Sequence, residues 1–406
     1  SAATDLPLLQ RTLPNVYGRV GRLFKTDFRR NIRMLPTIGI SPLPEVDLRH
    51  MLLLTDDTGI LQHATTATPN LHHGYCTDDN ARALIAGVMF CHLWPERQTG
   101  DEGASRDSLL VAMQRYLAFL SYAFDPETRR FKNFMDYDRT WKENVGSEDS
   151  HARALWALGI ATRRGHMKDI RGMAEELFRN ALPPAAQFTH IRPWAYALLG
   201  IDQYRRSENG CPEAEQLQGE LAERLYEAWK SEATEQWPWW EDRLTWGNAK
   251  PPHALLVSGH ALGREDMVRD ALSVLRWVCQ VQTNDHGQLS IIGNRGWYVR
   301  GKERAQFDQQ PIEAKALVQA CLCAARLTAE EEWTRRAKMC FEWFRGENDV
   351  NTPLYNPDTG GCHDGLVAEG AAAPNQGAES TLAYILSVLE IHSYARAQQA
   401  SQDLET

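Results

Sequence analysis

Basic character is the first thing this sequence lacks. Its 44 Lys and Arg are outnumbered by 53 Asp and Glu, and the formal charge is −9 at pH 7. That leaves no cationic face for a nucleic acid or an anionic membrane, so neither is expected as a partner. Long apolar runs are missing as well. The longest, residues 83–91, falls well short of the roughly 20 residues that cross a bilayer. Nothing near Ser1 reads as a secretory leader. No two of the eight cysteines form a C-x-x-C pair. Most lie inside apolar helical stretches, so they read as buried free thiols of a reducing, cytoplasmic setting and not as a disulfide framework. Also absent are the G-x-S-x-G elbow, the Walker A loop, G-x-G-x-x-G and H-E-x-x-H. His63, His72, His73, His151 and His363 carry no zinc-ligand spacing. No metal and no cofactor is expected.

What remains is an ordinary globular composition, 43% apolar and 24% charged over 406 residues. A chain of that size buries roughly three quarters of its unfolded surface without staples. Tryptophan is the exception: thirteen outnumber the twelve phenylalanines, more than core packing usually draws. Residues 1–45 read as an irregular arm, interrupted by Pro7, Pro14, Pro36, Pro42 and Pro44 and carrying Arg29, Arg30 and Arg33. Residues 46–395 read as one domain, because no Gly/Ser linker or low-complexity tract divides them, and 396–406 as a polar tail.

Two kinds of helix alternate. Residues 108–124, 219–229 and 330–344 carry an apolar stripe at helical spacing, as in Leu109, Met113, Tyr116 and Leu120. Residues 81–91, 152–161, 314–325 and 381–391 are apolar nearly all round and must be covered on every side. Strand signals are confined to short pieces at 287–292 and 297–299. Six similar segments recur. The first is Thr77-Asp78-Asp79-Asn80-Ala81-Arg82-Ala83-Leu84, and the second Glu148-Asp149-Ser150-His151-Ala152-Arg153-Ala154-Leu155. The others begin at Ile191, Lys250, Gln310 and Gly377. Each sets polar residues or proline before a helix rich in small residues, which is N-terminal chemistry. Their spacing of roughly 43 to 71 residues suits helical hairpins. The expected fold class is therefore all-α: an (α/α)6 toroid, six apolar inner helices inside six amphipathic outer ones. An open α-solenoid would have shorter and more regular repeats.

In such a toroid the six inner helix N-termini converge on one mouth, each with free N–H groups and a partial positive charge. The segments there supply Asp78, Asp79, Glu148, Asp149, His151, Asp308, Gln310, Glu313 and Glu379, and the loops add Glu241, Asp242 and Asp364. An acid in a first turn is usually a helix cap. Acids, amides or His on all six helices at one rim suggest a site. Aromatic residues gather on the same loops: Trp141, Trp194, Trp237, Trp239, Trp240, Trp246, Trp297 and Tyr298. Aromatic faces suit the C–H face of a sugar, and carboxylates suit its hydroxyls. Glycoside hydrolysis needs one carboxyl to protonate the leaving oxygen and another to activate water or attack the anomeric carbon.

The motifs Gly74-Tyr75-Cys76-Thr77-Asp78-Asp79-Asn80-Ala81-Arg82-Ala83-Leu84, Gly146-Ser147-Glu148-Asp149-Ser150-His151, Asp308-Gln309-Gln310-Pro311-Ile312-Glu313-Ala314 and Asn375-Gln376-Gly377-Ala378-Glu379-Ser380-Thr381 together resemble a bacterial family of six-hairpin glycosidase-like proteins. Relatives are often labelled only glycosyltransferase-associated or hypothetical, and some are joined to a glycosyltransferase domain or encoded beside mannoside phosphorylases. The resemblance runs from about Leu48 to Ile391. It implies the (α/α)6 toroid, with an active site at the inner-helix N-termini that falls on Asp78, Asp79, Glu148, Asp149, Glu313 and Glu379. No stretch of this chain reads as a glycosyltransferase domain.

The favoured expectation is a glycoside hydrolase with an oligosaccharide or sugar as its partner. Asp79 and Asp149 are the first candidates for acid and base, with Glu379 and Glu241 as rivals. Trp194, Trp239, Trp240 and Trp297 would be sugar platforms. Asp78, Glu148, His151, Asp242, Gln310, Glu313 and Asp364 would be substrate contacts. Two other readings stay open: a sugar epimerase or isomerase using a His pair drawn from His151, His190, His253 and His363, and a non-catalytic glycan-binding module.

Overall fold

The computed structural model describes residues 34–95, 106–367 and 370–403, so most of the arm, with Arg29, Arg30 and Arg33, and the last three residues lie outside it. Twelve α-helices stand among the described residues: α1 Arg49–Leu53, α2 Thr77–Leu93, α3 Arg106–Ala123, α4 Glu148–Arg164, α5 Lys168–Ala181, α6 Ile191–Arg205, α7 Pro212–Glu232, α8 Lys250–Leu262, α9 Glu265–Val281, α10 Pro311–Thr328, α11 Glu331–Glu342 and α12 Ala378–Asp403. The even-numbered helices pack in chain order, and α12 closes on α2. They form the inner ring of an (α/α)6 toroid. The long odd-numbered helices lie outside them.

The split follows the residue pattern. On α5, Ile170, Ala174, Leu177, Phe178 and Ala181 are buried and the rest of the helix is wet, one stripe at helical period. On α4 every residue from Ser150 to Thr162 is buried, as a helix walled in on all sides requires. Small residues set the inner spacing. A Cβ on Gly159 of α4 would stand 2.2 Å from the Gly200 carbonyl oxygen, and one on Gly200 of α6 would stand 2.6 Å from that of Leu155. The two helices therefore touch backbone to backbone.

The helix starts are made as the repeat suggested, with variations. Prolines occupy the first turn of α8 and α10, where the missing N–H costs nothing. Ser147 caps α4 by accepting from the Ser150 N–H at 3.1 Å. Ahead of α2, Tyr75–Cys76 pairs antiparallel with Phe134–Met135 and ties the start of α2 to the loop before α4. That is one of six such ribbons among the described residues, each strand two residues long. Of the expected strand pieces, Tyr298–Val299 pairs with Arg243–Leu244, whereas 287–292 yields one isolated bridge, Thr283 with Leu289.

Two expectations need revising. The sixth outer helix is the five-residue α1. Beside it the extended segment 34–45 lies along α12, burying Ile38 and Ile40. There Tyr394 Oη donates to the Pro36 carbonyl at 2.9 Å. The polar stretch from Arg396 is also no separate tail. It continues α12 to Asp403, and Gln398 Nε2 donates to Thr37 Oγ1 at 3.1 Å. Its polarity belongs to the outer face of a long helix. All eight cysteines are free thiols. No helix among the described residues is long and apolar enough to cross a membrane.

Candidate active site

Four inner helices place a long polar side chain at the same repeat position, between two alanines: Arg82, Arg153, Tyr196 and Lys315. All four are buried. With alanine on either side of each, these side chains are the bulk that fills the ring below the mouth.

Arg82 of α2 gathers three acids. Its Nη1 donates to Asp79 Oδ1 at 2.5 Å, and its Nη2 donates to Asp78 Oδ2 at 2.9 Å and to Glu379 Oε2 at 2.6 Å. Two oxygens bonded to one nitrogen can be no farther apart than the two bonds together, so Asp78 and Glu379 approach within 5.5 Å. Asp79 is only 4% exposed, and its other oxygen accepts the Cys76 thiol at 3.0 Å. Burial, and then the Asp78 charge beside it, push the Asp79 carboxyl up to about 7, against the pull of Arg82. Burial acts upward on Asp78 too. There the Arg82 and Arg153 charges outweigh it and hold the carboxyl below its ordinary value. Consecutive acids are thus driven apart in proton affinity, the arrangement acid–base pairs use.

Across the ring a second chain of contacts runs from α4 to the loop before α8. Arg153 Nε donates to Asp149 Oδ2 at 2.6 Å. Its guanidinium lies 4.4 Å from the Tyr196 ring centroid and 5.1 Å from that of Trp246. The Arg192 guanidinium is also 5.1 Å from the Trp246 ring. Arg192 Nε donates to the Trp246 carbonyl at 2.6 Å, and its Nη1 meets Glu241 Oε2 at 3.0 Å. Below these, the Lys250 and Lys315 ammonium groups sit 4.7 and 5.3 Å from the Trp156 ring centroid. Buried atoms of both signs have no hydrogen-bond partner among the described residues: Arg153 Nη1, Tyr196 Oη and Lys315 Nζ, and the acceptor Asp149 Oδ1.

The expected site residues divide. Asp78, Asp79, Glu379 and Asp149 come together about Arg82 and Arg153, and Glu241 joins them through Arg192 and Trp246. None of the four acids on α2, α4 and α12 is spent as a helix cap; each bonds an arginine. The thiol of Cys76 and the carboxylates of Asp78 and Asp79 also lie within 4.8 Å of one another, and there the balancing positive charge comes from Arg82.

Other expected contacts serve the scaffold. His151 is fully buried between Phe131 and Phe188. Its Nε2 bonds the Ala181 carbonyl at 2.8 Å and its Nδ1 accepts the Phe131 N–H at 3.3 Å. Glu313 accepts from Asn248 N, Asn248 Nδ2 and Gln282 Nε2 at 3.0–3.1 Å, bracing the loop before α8. Trp194, Trp239 and Trp240 are buried, each with its indole N–H on a backbone carbonyl, of Phe188, Arg243 and Leu225. They are no sugar platforms, because their faces are already covered.

The remaining expected contacts make no bond to Arg82 or Arg153. Glu148 accepts from Thr189 N at 2.9 Å beside the exposed His190. Asp242 is exposed and paired with Arg243. Asp364 accepts the Gly377 N–H at 2.8 Å just before α12. Trp297 and Gln310 are half-buried on the loop before α10, with no bond to the carboxylate cluster. The residues that sequence reasoning passed over are Arg82, Arg153, Arg192, Tyr196, Lys250 and Lys315; Trp246 was named among the loop aromatics but not chosen as a platform.

No protein-family model and no curated protein sequence matches the chain. Solved structures do match it in fold. A cellobiose 2-epimerase from Spirochaeta thermophila is 14% identical, over 86% of this chain and 93% of its own, with a TM-score of 0.64. A D-mannose isomerase is 12% identical over 84% and 95%, with a TM-score of 0.60. An α-1,6-mannanase of Salegentibacter sp. is 13% identical over 85% and 96%, with a TM-score of 0.52. That mannanase was solved as an inactive variant, two consecutive aspartates replaced by asparagine, with α-1,6-mannotriose. All share the six-hairpin (α/α)6 architecture, and at these identities the likeness is one of fold.

Proposed function

We propose that this chain is a carbohydrate-active enzyme that cleaves a glycosidic bond at the mouth of its toroid. The observation that carries the reading is the carboxylate cluster on Arg82: three acids from two neighbouring inner helices, with Asp79 raised to about 7 and Asp78 held low. Asp79 is assigned the proton near neutral pH. Asp78 and Glu379, the more exposed pair, meet the sugar as carboxylates. Asp149, Glu241 and the half-buried Trp246 line the approach. The unpaired donors and acceptor deeper in the ring suit a ligand rich in hydroxyls, which supplies both. The mannanase of the same fold, inactive without two consecutive aspartates, supports giving the consecutive pair Asp78-Asp79 this role.

The test is turnover of manno- and gluco-oligosaccharides, with and without inorganic phosphate. Asp78→Asn and Glu379→Gln should each lower kcat by about 10²-fold or more. Turnover by both variants at the wild-type rate would refute the assignment. Epimerisation is the second reading, favoured by the higher TM-scores to an epimerase and an isomerase. Of its four expected histidines, His151 is locked in the core and His253 lines a cavity away from the mouth, while His190 is exposed beside Glu148 and His363 bonds the Ala373 carbonyl. Solvent deuterium entering a reducing sugar without bond cleavage would decide for it.

A further inference from the structure

At the end of the ring opposite the mouth, where the inner helices finish, lies a cavity of about 350 Å³ to which all six of them contribute. Its wall carries four arginines, Arg163, Arg164, Arg206 and Arg326, and two acids, Asp202 and Glu390. Arginines in a last turn ordinarily answer the partial negative charge of a helix C-terminus. The pairing here goes beyond that. Arg206 takes Asp202 at 3.0 Å, and Arg326 reaches Glu390 at 3.7 Å. Both acids are then engaged. Arg163 has only the neutral Gln203 amide oxygen, at 2.9 Å. Arg164 has no ion-pair or hydrogen-bond partner among the described residues. Two cations are left over in a half-enclosed space, close enough to repel each other. Burial, and then the neighbouring guanidinium charges, pull Arg163 down to about 10.

His253, which also lines this cavity, adds a second observation: its Nδ1 is buried with no partner. The remaining wall includes Met89, Leu199 and Val257, which is apolar. A site with two unanswered guanidiniums, a free imidazole nitrogen and an apolar side calls for a dianion carried on a small organic body. Guanidinium matches phosphate oxygens in forked, charge-assisted bonds. We propose that this cavity binds a small phosphate monoester, the phosphate on Arg163 and Arg164, at a site separate from the mouth. Gln319 joins the two ends. It lines the cavity, and its Oε1 accepts from Lys250 Nζ at 2.6 Å, which lies over the ring of Trp156, a residue of the cavity wall that also meets Lys315.

The experiment is calorimetric titration and thermal melting of the full chain with three probes: glucose 6-phosphate, inorganic phosphate and glucose. Glucose 6-phosphate should bind and raise the Tm, and glucose at the same concentration should not. Inorganic phosphate should bind more weakly than the monoester, because it leaves the apolar wall unused. Arg163→Gln and Arg164→Gln, singly and together, should weaken glucose 6-phosphate binding tenfold or more. Each removes a charge from an over-positive cavity, so the unliganded variants should melt no lower than wild type. If instead they melt clearly lower, the arginines are structural and the proposal fails. It also fails if no phosphate binds at millimolar concentration, or if binding is lost with Arg153→Met at the mouth and kept in the Arg163 and Arg164 variants.

Discussion

Replacing Arg82 with methionine removes the one cation that three carboxylates share. Asp79, at 4% exposure, has no water to turn to. Breaking a buried pair by deleting one partner costs about 3–5 kcal/mol, shared here between Asp79 and the partly buried Asp78. Glu379 adds little, because its side chain is 42% exposed and solvent screens the pair. The expected loss is about 4 kcal/mol at pH 8, read by urea unfolding. The pH dependence is the sharper test. Without the guanidinium both aspartates hold protons more tightly. Asp79 is already raised to about 7, so at pH 5 it is neutral with or without Arg82, and the loss should be smaller there than at pH 8 by about 1.4 kcal/mol, one pH unit of proton uptake. Adding Asp79→Asn to Arg82→Met should remove the difference between pH 8 and pH 5, since the titrating buried acid is gone. Arg82→Lys keeps the charge but cannot fork to three acids, and should fall between. A loss under about 1 kcal/mol, or one equal at pH 5 and pH 8, would refute the view that Arg82 organises the cluster.

Burial holds His151 down to about 3. A base lowered in the folded state contributes stability that is present above about 6.5 and is withdrawn as pH falls toward 3; His151→Gln should therefore flatten the loss of urea midpoint between pH 6 and pH 4. Gly200→Ala should cost at least about 2 kcal/mol in thermal unfolding, because its Cβ would stand 2.6 Å from the Leu155 carbonyl oxygen. Gly219→Ala on α7, with nothing within 4 Å of the new Cβ, should gain about 0.5–1 kcal/mol. Trp246→Ala should weaken glycan binding with little change in Tm, whereas Trp239→Phe should lower Tm and leave binding alone; the opposite pattern would restore the buried tryptophans as sugar platforms.

The toroid was legible because its signal is written six times. A helix that is apolar all round, preceded by a polar turn, needs a second shell, and α2, α4, α6, α8, α10 and α12 begin where the repeat places them. The sixth outer helix was not legible, since the segment covering α12 is mostly extended and pairs through its backbone carbonyls with Tyr394 and His392. The polar end of α12 was misread for a related reason. Exposure on one face of a long helix gives the same composition as a tail.

The site was half legible, and the missing half explains the other. Acidic residues were weighed one at a time as caps or catalysts, and the alanines of each repeat were read as spacing. The residue between those alanines was passed over, although Arg82, Arg153, Tyr196 and Lys315 share that position. A long polar side chain flanked by alanines on an inner helix has one place to go, into the ring. Once there it needs counter-charges, and the first-turn acids one turn or less before it are the ones in reach, as Asp78, Asp79 and Asp149 are for Arg82 and Arg153. The first two repeats therefore encode ion pairs and not a row of independent carboxylates. The tryptophans misled for the converse reason. A loop such as Trp237-Pro238-Trp239-Trp240 looks like a ligand surface by composition, yet its indole N–H groups close on the carbonyls of Glu241, Arg243 and Leu225. Aromatic excess among the described residues largely builds the wall of the toroid, and Trp246, half-buried against Arg153 and Arg192, is the indole to which the proposed function gives a sugar.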